Sequence, residues 1–432
     1  MDTSLLYTIF GSIFLIGYFF IVLEHKSHIN KSGIAIIIGA TLWLLASVFS
    51  HEKEEIGLAI AENGSEIFAV VVFLLSAMTI VEILVHYRFF DWIREQIVRR
   101  EISQTKLFWL LGALTFVLSA FLDNLTTTLI MIQIGRKIYK HQENFLIFTA
   151  NTIIAANAGG AASPIGDVTT IMLWLAGKFN ALQIIAVGTI PAIVTWVIPQ
   201  YLMGRKIVQH EEAEKAHSEF DIVDEEKVKP IWSVIIIGMC SFLLPVIFNL
   251  INLPPFLGLL LGVGILWTFI DLKSRGGHEH FATGKVVNIV QKTDIATLKF
   301  FIGILLAVGA LSHIGLLKEL NDFIFGLEIN TQRLIIGNII LGLISAVLDN
   351  VPLVAAAIKM FADGIDPSLW VLLAITAGTG GSILLIGSAA GVAAMGQVKE
   401  LNFMYYLKKA SLPALLGYFG GVGMWLIMYL FR

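Results

Sequence analysis

Three aspartates, Asp123, Asp167 and Asp349, stand in stretches of sequence that are otherwise apolar, and they are the side chains best suited to chemistry. An aspartate at the centre of a membrane helix costs roughly 2.5 to 3.5 kcal/mol on insertion scales, so its default reading is functional. Asp123 and Asp349 are each followed by asparagine, Asn124 and Asn350; Thr126, Thr127 and Thr128 complete the first segment, and Pro352 breaks the second. The first segment thus offers carboxylate, amide and hydroxyl oxygens within one helical turn. Hard cations select such oxygens. The runs Asn157-Ala158-Gly159-Gly160 and Gly378-Thr379-Gly380-Gly381 are places where a helix can unwind and present further carbonyls. No lysine or arginine adjoins either Asp-Asn pair in sequence, which favours a cation over an anion. A proton and a cation compete for a desolvated carboxylate, and competition at one site suffices for antiport.

Structural roles remain open for the same residues. Asp123 and Asp349 suit the capping of half-helices or pairing with asparagine, and Asp167 suits the cap of a helix beginning at Asp167-Val168-Thr169-Thr170. Ser382 and Ser388 either line a site or permit close helix packing. Glu82 and His313, late in their apolar runs, are candidate proton-relay positions or interfacial residues.

The elements that must position these groups are membrane spans. Of the 432 residues 57% are hydrophobic and 14% charged, with mean hydropathy +0.82, whereas a soluble domain carries roughly 25% charge. Apolar runs at 5–23, 33–49, 67–85, 181–202, 231–250, 257–271, 300–317 and 410–430 are long enough, or nearly so, to cross a hydrocarbon layer of roughly 30 Å. The fold class is therefore an all-α polytopic membrane protein. The first run has no preceding Lys or Arg and no cleavage pattern, so it is expected to be a retained span. Net charge −3 excludes a nucleic-acid partner. The single cysteine, Cys240, cannot form an intramolecular disulfide and is expected to pack.

The chain also matches itself. Ser119-Ala120-Phe121-Leu122-Asp123-Asn124-Leu125 aligns with Ser345-Ala346-Val347-Leu348-Asp349-Asn350-Val351, and Gly159 to Asp167 aligns with Gly380 to Ser388. Further upstream, Phe89 to Ile93 aligns with Leu320 to Ile324, which sets Glu82 opposite His313. Placing the N-terminus outside puts most of the 29 Lys and Arg on the cytoplasmic side. The two Asp-Asn segments then enter from opposite faces. The expected organisation is an N-terminal span (1–31), repeat 1 (32–208), a cytoplasmic linker (209–230) carrying His210 and His217, and an inverted repeat 2 (231–432). Each repeat holds a re-entrant hairpin (about 107–135 and 333–360) and a discontinuous helix (about 146–176 and 368–396). Inverted repeats with broken segments near the midplane are the architecture of secondary transporters. An amphipathic stretch, 89–102, is expected to lie along the cytoplasmic surface.

At SAFLDNLTTTL (119–129), NAGGAASPIGDVTT (157–170), SAVLDNVPL (345–353) and GTGGSILLIGSAAG (378–391) the chain resembles the NhaD-type sodium/proton antiporters of the ion transporter superfamily, over nearly its whole length. The resemblance implies exchange of Na+ and Li+ for H+, with the ions as substrates and no cofactor. It implies Asp123, Asn124, Asn157, Asp167, Thr169, Thr170, Ser345, Asn350, Ser382 and Ser388 as site or pathway positions, to which the residues themselves add Thr126, Thr127 and Asp349, with Na+ expected at Asp123, Asp349 and neighbouring oxygens. It further implies a homodimer with a scaffold part and a moving part, in a bilayer, expected to be a bacterial cytoplasmic membrane. An exporter or symporter of another solute, arsenite or a carboxylate, is the alternative on the same fold. A di-aspartyl protease lacks its GxGD context here, and a passive channel has no need of the repeats.

Overall fold

The computed structural model describes residues 3–27, 29–49, 53–99, 102–208, 230–275, 286–291, 293–325, 330–361 and 364–432. Among them the regular structure is entirely helical, as a chain this apolar requires, because hydrocarbon offers no partner to a free backbone N–H or C=O. Eight helices among the described residues are long and apolar enough to cross a membrane, and the protein is an integral membrane protein. The expected linker lies outside the described residues except for Pro230, and His210 and His217 lie outside them too.

The first group of helices is α1 (Thr3–Val22), α2 (Lys31–Phe49), α3 (Lys53–His86) and α4 (Phe89–Val98). Helix α3 begins well before the apolar run at 67–85, because its first turns are polar but still helical. Its 34 residues reach about 50 Å at ~1.5 Å per residue, more than a hydrocarbon core. Among the described residues of the amphipathic stretch, helix covers α4, where Phe90 and Ile97 are buried.

Next come α5 (Gln104–Ser119) and α6 (Asn124–Ile138), joined by a tight turn, then α7 (Gln142–Ala161) and α8 (Val168–Leu175), separated by residues 162–167 without helix, and α9 (Ala181–Gly204). The run expected as a span at 231–250 is one of the eight, Trp232–Leu250, with a turn at 242–243 dividing it into α10 (Trp232–Ser241) and α11 (Leu244–Leu250). Pro245 starts the second, where its missing N–H costs nothing and its ring cannot disrupt a preceding turn. Cys240, expected to pack, is exposed; the correction follows from its place on the outward side of α10, whose buried residues are Val234, Ile235, Gly238 and Ser241.

The remaining longer helices are α12 (Pro255–Arg275), α13 (Ile295–His313), α14 (Leu316–Phe325), α15 (Thr331–Ile344), α16 (Asn350–Met360), α17 (Pro367–Gly380), α18 (Ala389–Gln397) and α19 (Leu412–Leu430), with short helical segments at Glu24–Ser27, Val286–Val290 and Phe403–Tyr406 and a π-helical turn at Leu407–Ser411. Helices α15 and α16 again flank a tight turn, and α17 and α18 again flank a non-helical break. The bounds start slightly earlier than hydropathy suggests because polar caps lead each helix: Asn330 accepts from the N–H groups of Gln332 and Arg333 ahead of α15, and Asp366 from Ser368 ahead of α17.

Helices α7 and α17 form the centre. Every residue from Leu146 to Ala161 and from Ser368 to Gly380 is buried, the pattern of helices enclosed on all sides. Around them α2 lies along α13, and α9 along α19. Small residues allow both approaches: a Cβ on Gly303 would strike the backbone of Ala35 and Ile36, and one on Gly417 the carbonyl of Thr195. Such contacts replace the hydrophobic drive that is missing between helices in lipid.

Candidate functional site

At four points the chain restarts a helix inside the apolar interior, and each restart exposes backbone N–H groups that lipid cannot satisfy. A side chain answers each one. Asp123 Oδ1 accepts from Thr126 N–H at 2.8 Å ahead of α6, Asp167 Oδ1 from Thr169 N–H at 3.3 Å ahead of α8, Asp349 Oδ1 from Val351 N–H at 3.2 Å ahead of α16, and Ser388 Oγ from Gly391 N–H at 3.2 Å ahead of α18. The three aspartates are therefore all helix caps. Capping uses one oxygen of each carboxylate, and the second oxygens differ in what they meet.

Asp167 is 1% exposed, and its Oδ2 accepts from Asn350 Nδ2 at 3.3 Å. This bond joins the break between α7 and α8 to the turn between α15 and α16. Thr169 and Thr170 are buried beside it, and the Thr170 hydroxyl donates to the Asp167 carbonyl at 2.8 Å. Among the described residues no lysine or arginine pairs with Asp167. Its neighbours across the cluster are instead carboxylates, since Asp349 and Asp123 both lie close enough to interact with it electrostatically.

Asn124 and Asn157 build the complementary link. Asn124 Nδ2 donates to Asn157 Oδ1 at 2.9 Å, and Asn157 Nδ2 donates to Ser382 Oγ at 2.8 Å and Ser388 Oγ at 3.1 Å. The turn between α5 and α6, the middle of α7 and the break between α17 and α18 are thereby held together. Thr127 and Thr128 follow on the first turn of α6, fully buried, with hydroxyl oxygens that have no hydrogen-bond partner in the protein. Buried polar atoms left unpaired cost free energy, and these belong to the start of the helix that Asp123 caps, an arrangement suited to a ligand that takes oxygens. Among the described residues Asp123 has no ion-pair partner.

Two serines secure the turns to the central helices: Ser119 Oγ donates to Ala156 O at 2.6 Å and Ser345 Oγ to Ala377 O at 2.8 Å. Ser345 thus spends its proton on a carbonyl of α17. Glycines let the breaks fold back against the turns. A Cβ on Gly166 would strike the Ser119 carbonyl, and one on Gly387 would lie 2.7 Å from the Ser345 carbonyl.

Not every expected position joins the cluster. His313 ends α13 and its ring lies 5.5 Å from that of Trp43 on α2; Glu82 lies on α3, a helix that supplies none of the hydrogen bonds above. Asp349 differs from Asp123 in having a cation beside it: Oδ2 is 3.6 Å from Lys31 Nζ. Its backbone N–H also donates to Tyr18 Oη at 2.9 Å. Lys31 and Tyr18 come from the far end of the chain, while Tyr406, whose hydroxyl donates to the Ser382 carbonyl at 2.7 Å, lies 24 residues beyond it. Nothing local in the sequence marks these three as neighbours of the site.

Away from the cluster, a cavity of about 100 Å³ lies between α3, α8, α13 and α16, with Asn63, Glu66 and Lys359 among its lining residues.

Comparison with known proteins places the chain in a family. Residues 18–378 match the sequence model of the citrate-transporter family, CitMHS. The chain is 37% identical over 422 residues to sodium/proton antiporter 1 of Arabidopsis thaliana, covering 96% of this chain and 72% of that one. Sodium/proton antiporter 2 of the same plant is 34% identical over 97% of this chain and 99% of its own length. The Na+/H+ antiporter NhaD of Alkalimonas amylolytica is 32% identical over 100% of this chain and 93% of its own.

Proposed function

The chain belongs to the NhaD-type sodium/proton antiporters of the citrate-transporter family, and from that premise we propose that it exchanges Na+ and Li+ for H+ by alternating access, with cation and proton competing for buried carboxylates. One observation carries this proposal above the others. Asp167 is buried at 1% exposure and held by neutral donors, the Asn350 amide and the Thr169 N–H. A carboxylate in that position must be neutralised, by a proton or by a cation. Asp123, with the orphaned hydroxyls of Thr127 and Thr128 at the start of the helix it caps, supplies a second carboxylate and the oxygen ligands a hard cation selects. Asn124, Thr126, Asn157, Thr169, Thr170, Asn350, Ser382 and Ser388 hold or line that site, and Ser345 fixes the second turn.

Alternating access needs two mirror-related paths to one site. The pairs α5–α6 and α15–α16 serve as re-entrant hairpins of two inverted repeats, 32–208 and 231–432, with α7–α8 and α17–α18 as their discontinuous helices. Paired contacts support this: the Ser119 and Ser345 bonds, the four restarts capped by side chains, and the glycine contacts at Gly166 and Gly387 fall at equivalent positions. A homodimer in a membrane that bears a proton gradient, such as a bacterial cytoplasmic membrane, completes the proposal on the family resemblance.

The test is exchange in everted vesicles from an antiporter-deficient bacterium, followed with a ΔpH dye from neutral to alkaline pH. Addition of Na+ or Li+ should collapse the proton gradient, and addition of choline should not. No response to either cation, from protein shown to be inserted, would overturn antiport and turn the search to another solute, arsenite or a carboxylate.

A further inference from the structure

Two of the carboxylates that cap helices in the cluster occupy equivalent turns, yet a basic side chain reaches only one of them among the described residues. Lys31 is the first residue of α2, and its Nζ lies 3.6 Å from Asp349 Oδ2 and 4.5 Å from the centroid of the Phe300 ring on α13. Both side chains of the pair are largely enclosed, at 21% and 18% exposure. The base of α2 is itself fixed, because Lys31 N–H donates to Glu24 Oε1 at 3.0 Å and Ser32 Oγ to the Ala296 carbonyl at 2.6 Å. From the other side Tyr18 of α1 accepts the Asp349 N–H, and Asp167 is a further charge of the cluster that interacts with Asp349. The ammonium therefore stands against the Asp349 oxygen that capping leaves free.

We propose that Lys31 is the built-in counter-ion of Asp349, a positioning residue whose ammonium fills the second Asp-Asn turn so that the transported cation is left to Asp123 and Asp167. An ammonium and a sodium ion cannot share one carboxylate oxygen at contact distance without strong like-charge repulsion. Lys31 thus sets how many cations the cluster takes, and it anchors the tip of the second turn to α2. The proposal rests on the antiport reading for its kinetic readout, though not for its second one.

The experiment is a double-mutant cycle on the full-length protein: wild type, Lys31→Gln, Asp349→Asn and the double variant, with insertion checked for each. The kinetic readout is the apparent KM for Na+ in everted vesicles, together with the maximal rate. Asp349→Asn leaves the Lys31 ammonium without its carboxylate in the second turn, and should raise the KM by about tenfold, the scale of coupling between contacting charges. The double variant removes both charges and should bring the KM back to within about threefold of wild type on the same scale. A double variant as impaired as Asp349→Asn would show that the carboxylate itself carries a cation or proton, and would overturn the proposal. A merely structural loss would lower the maximal rate in all three variants and leave this rescue absent, which also overturns it. The second readout is thermal unfolding of the four purified proteins in detergent. Non-additive losses, with the double variant more stable than the singles predict, are expected; additive losses would mean that the pair does not form. If wild type shows no Na+ response, antiport falls while the unfolding cycle still decides the pairing.

Discussion

The turn at Asp123-Asn124 and the turn at Asp349-Asn350 are built alike and finished differently. In both, a serine ties the turn to a central helix, an aspartate caps the helix that follows, and the asparagine bonds a buried polar side chain at or near the break between α7 and α8. The contrast lies in what the rest of the fold brings. Asn124 works through Asn157 onto Ser382 and Ser388, an uncharged chain of amides and hydroxyls. Asn350 bonds the Asp167 carboxylate directly, while its neighbour Asp349 is matched by Lys31. Position 157 corresponds to Gly378, and a Cβ there would lie 3.1 Å from Asp167 Oδ2. Where one half places an amide, the other leaves room for a charge. A shared backbone device therefore fixes where the turns go, and on the proposed reading a few differences at equivalent positions decide which of them handles ions.

The largest expected effect falls on the charges that nothing in the described protein neutralises. Asp167→Asn and Asp123→Asn should each reduce Na+-dependent collapse of the proton gradient to the level of vesicles lacking the protein, with insertion unchanged. Asp349→Asn should differ in kind, retaining exchange when Na+ is raised well above the wild-type KM. The measurement is the same dye assay at rising Na+. Equal and complete loss in all three variants at high Na+ would erase the distinction between the turns.

Much of this was legible from residues alone. The Asp-Asn segments and the interrupted apolar stretches pointed to the helices and breaks that form the centre, whereas the runs 157–160 and 378–380, expected to unwind, stay helical and the breaks follow them, because there the glycines serve close backbone packing instead. The capping role of the aspartates was legible as an alternative, and it coexists with the proposed one because a carboxylate has two oxygens. Lys31, Tyr18 and Tyr406 were not legible. Each acts from a different helix across the fold, and side-chain spacing along a helix carries no information about which distant helix lies against it. Helix α3 was shortened by reading hydropathy alone, since its first turns are helical and polar, and Cys240 was misplaced because an apolar run does not reveal which of its faces is covered.

The two equivalent positions, 157 and 378, sharpen the comparison at intermediate scale. Asn157→Ala removes the partner of Asn124 and leaves Ser382 and Ser388 without the amide that donates to them. Leaving a buried polar group unpaired costs about 1–3 kcal/mol, so a lower unfolding temperature in detergent is expected, along with weaker exchange. Gly378→Ala acts on the other half by crowding. Its new methyl would meet Asp167 Oδ2 at 3.1 Å and Ala161 Cβ at 3.2 Å, and overpacking of this kind costs about 1–3 kcal/mol. Because the carboxylate is the group that must give way, the apparent affinity for Na+ should fall more than stability does. If Gly378→Ala lowers only the unfolding temperature, Asp167 is not the part of the site that responds.

The smallest effect is expected at the other end of α16, where a second ion pair offers a control for the first. Lys359 Nζ lies 2.6 Å from Glu66 Oε1, so α16 is joined to α3 there much as the turn ahead of it is joined to α2. This contact is shorter than the Lys31–Asp349 contact, but Glu66 is 49% exposed. Exposed pairs contribute about 0–1 kcal/mol, because water screens the attraction and ordering two side chains costs entropy. Distance alone would rank Glu66–Lys359 as the stronger tie, whereas enclosure ranks Lys31–Asp349 first. Glu66→Gln should accordingly shift the unfolding temperature little and leave the KM for Na+ within about twofold of wild type, in keeping with the weak coupling of a screened pair. A loss as large as that of Lys31→Gln would show that tethering α16 at either end is what matters, and that the enclosure of Lys31 beside the carboxylate cluster is incidental.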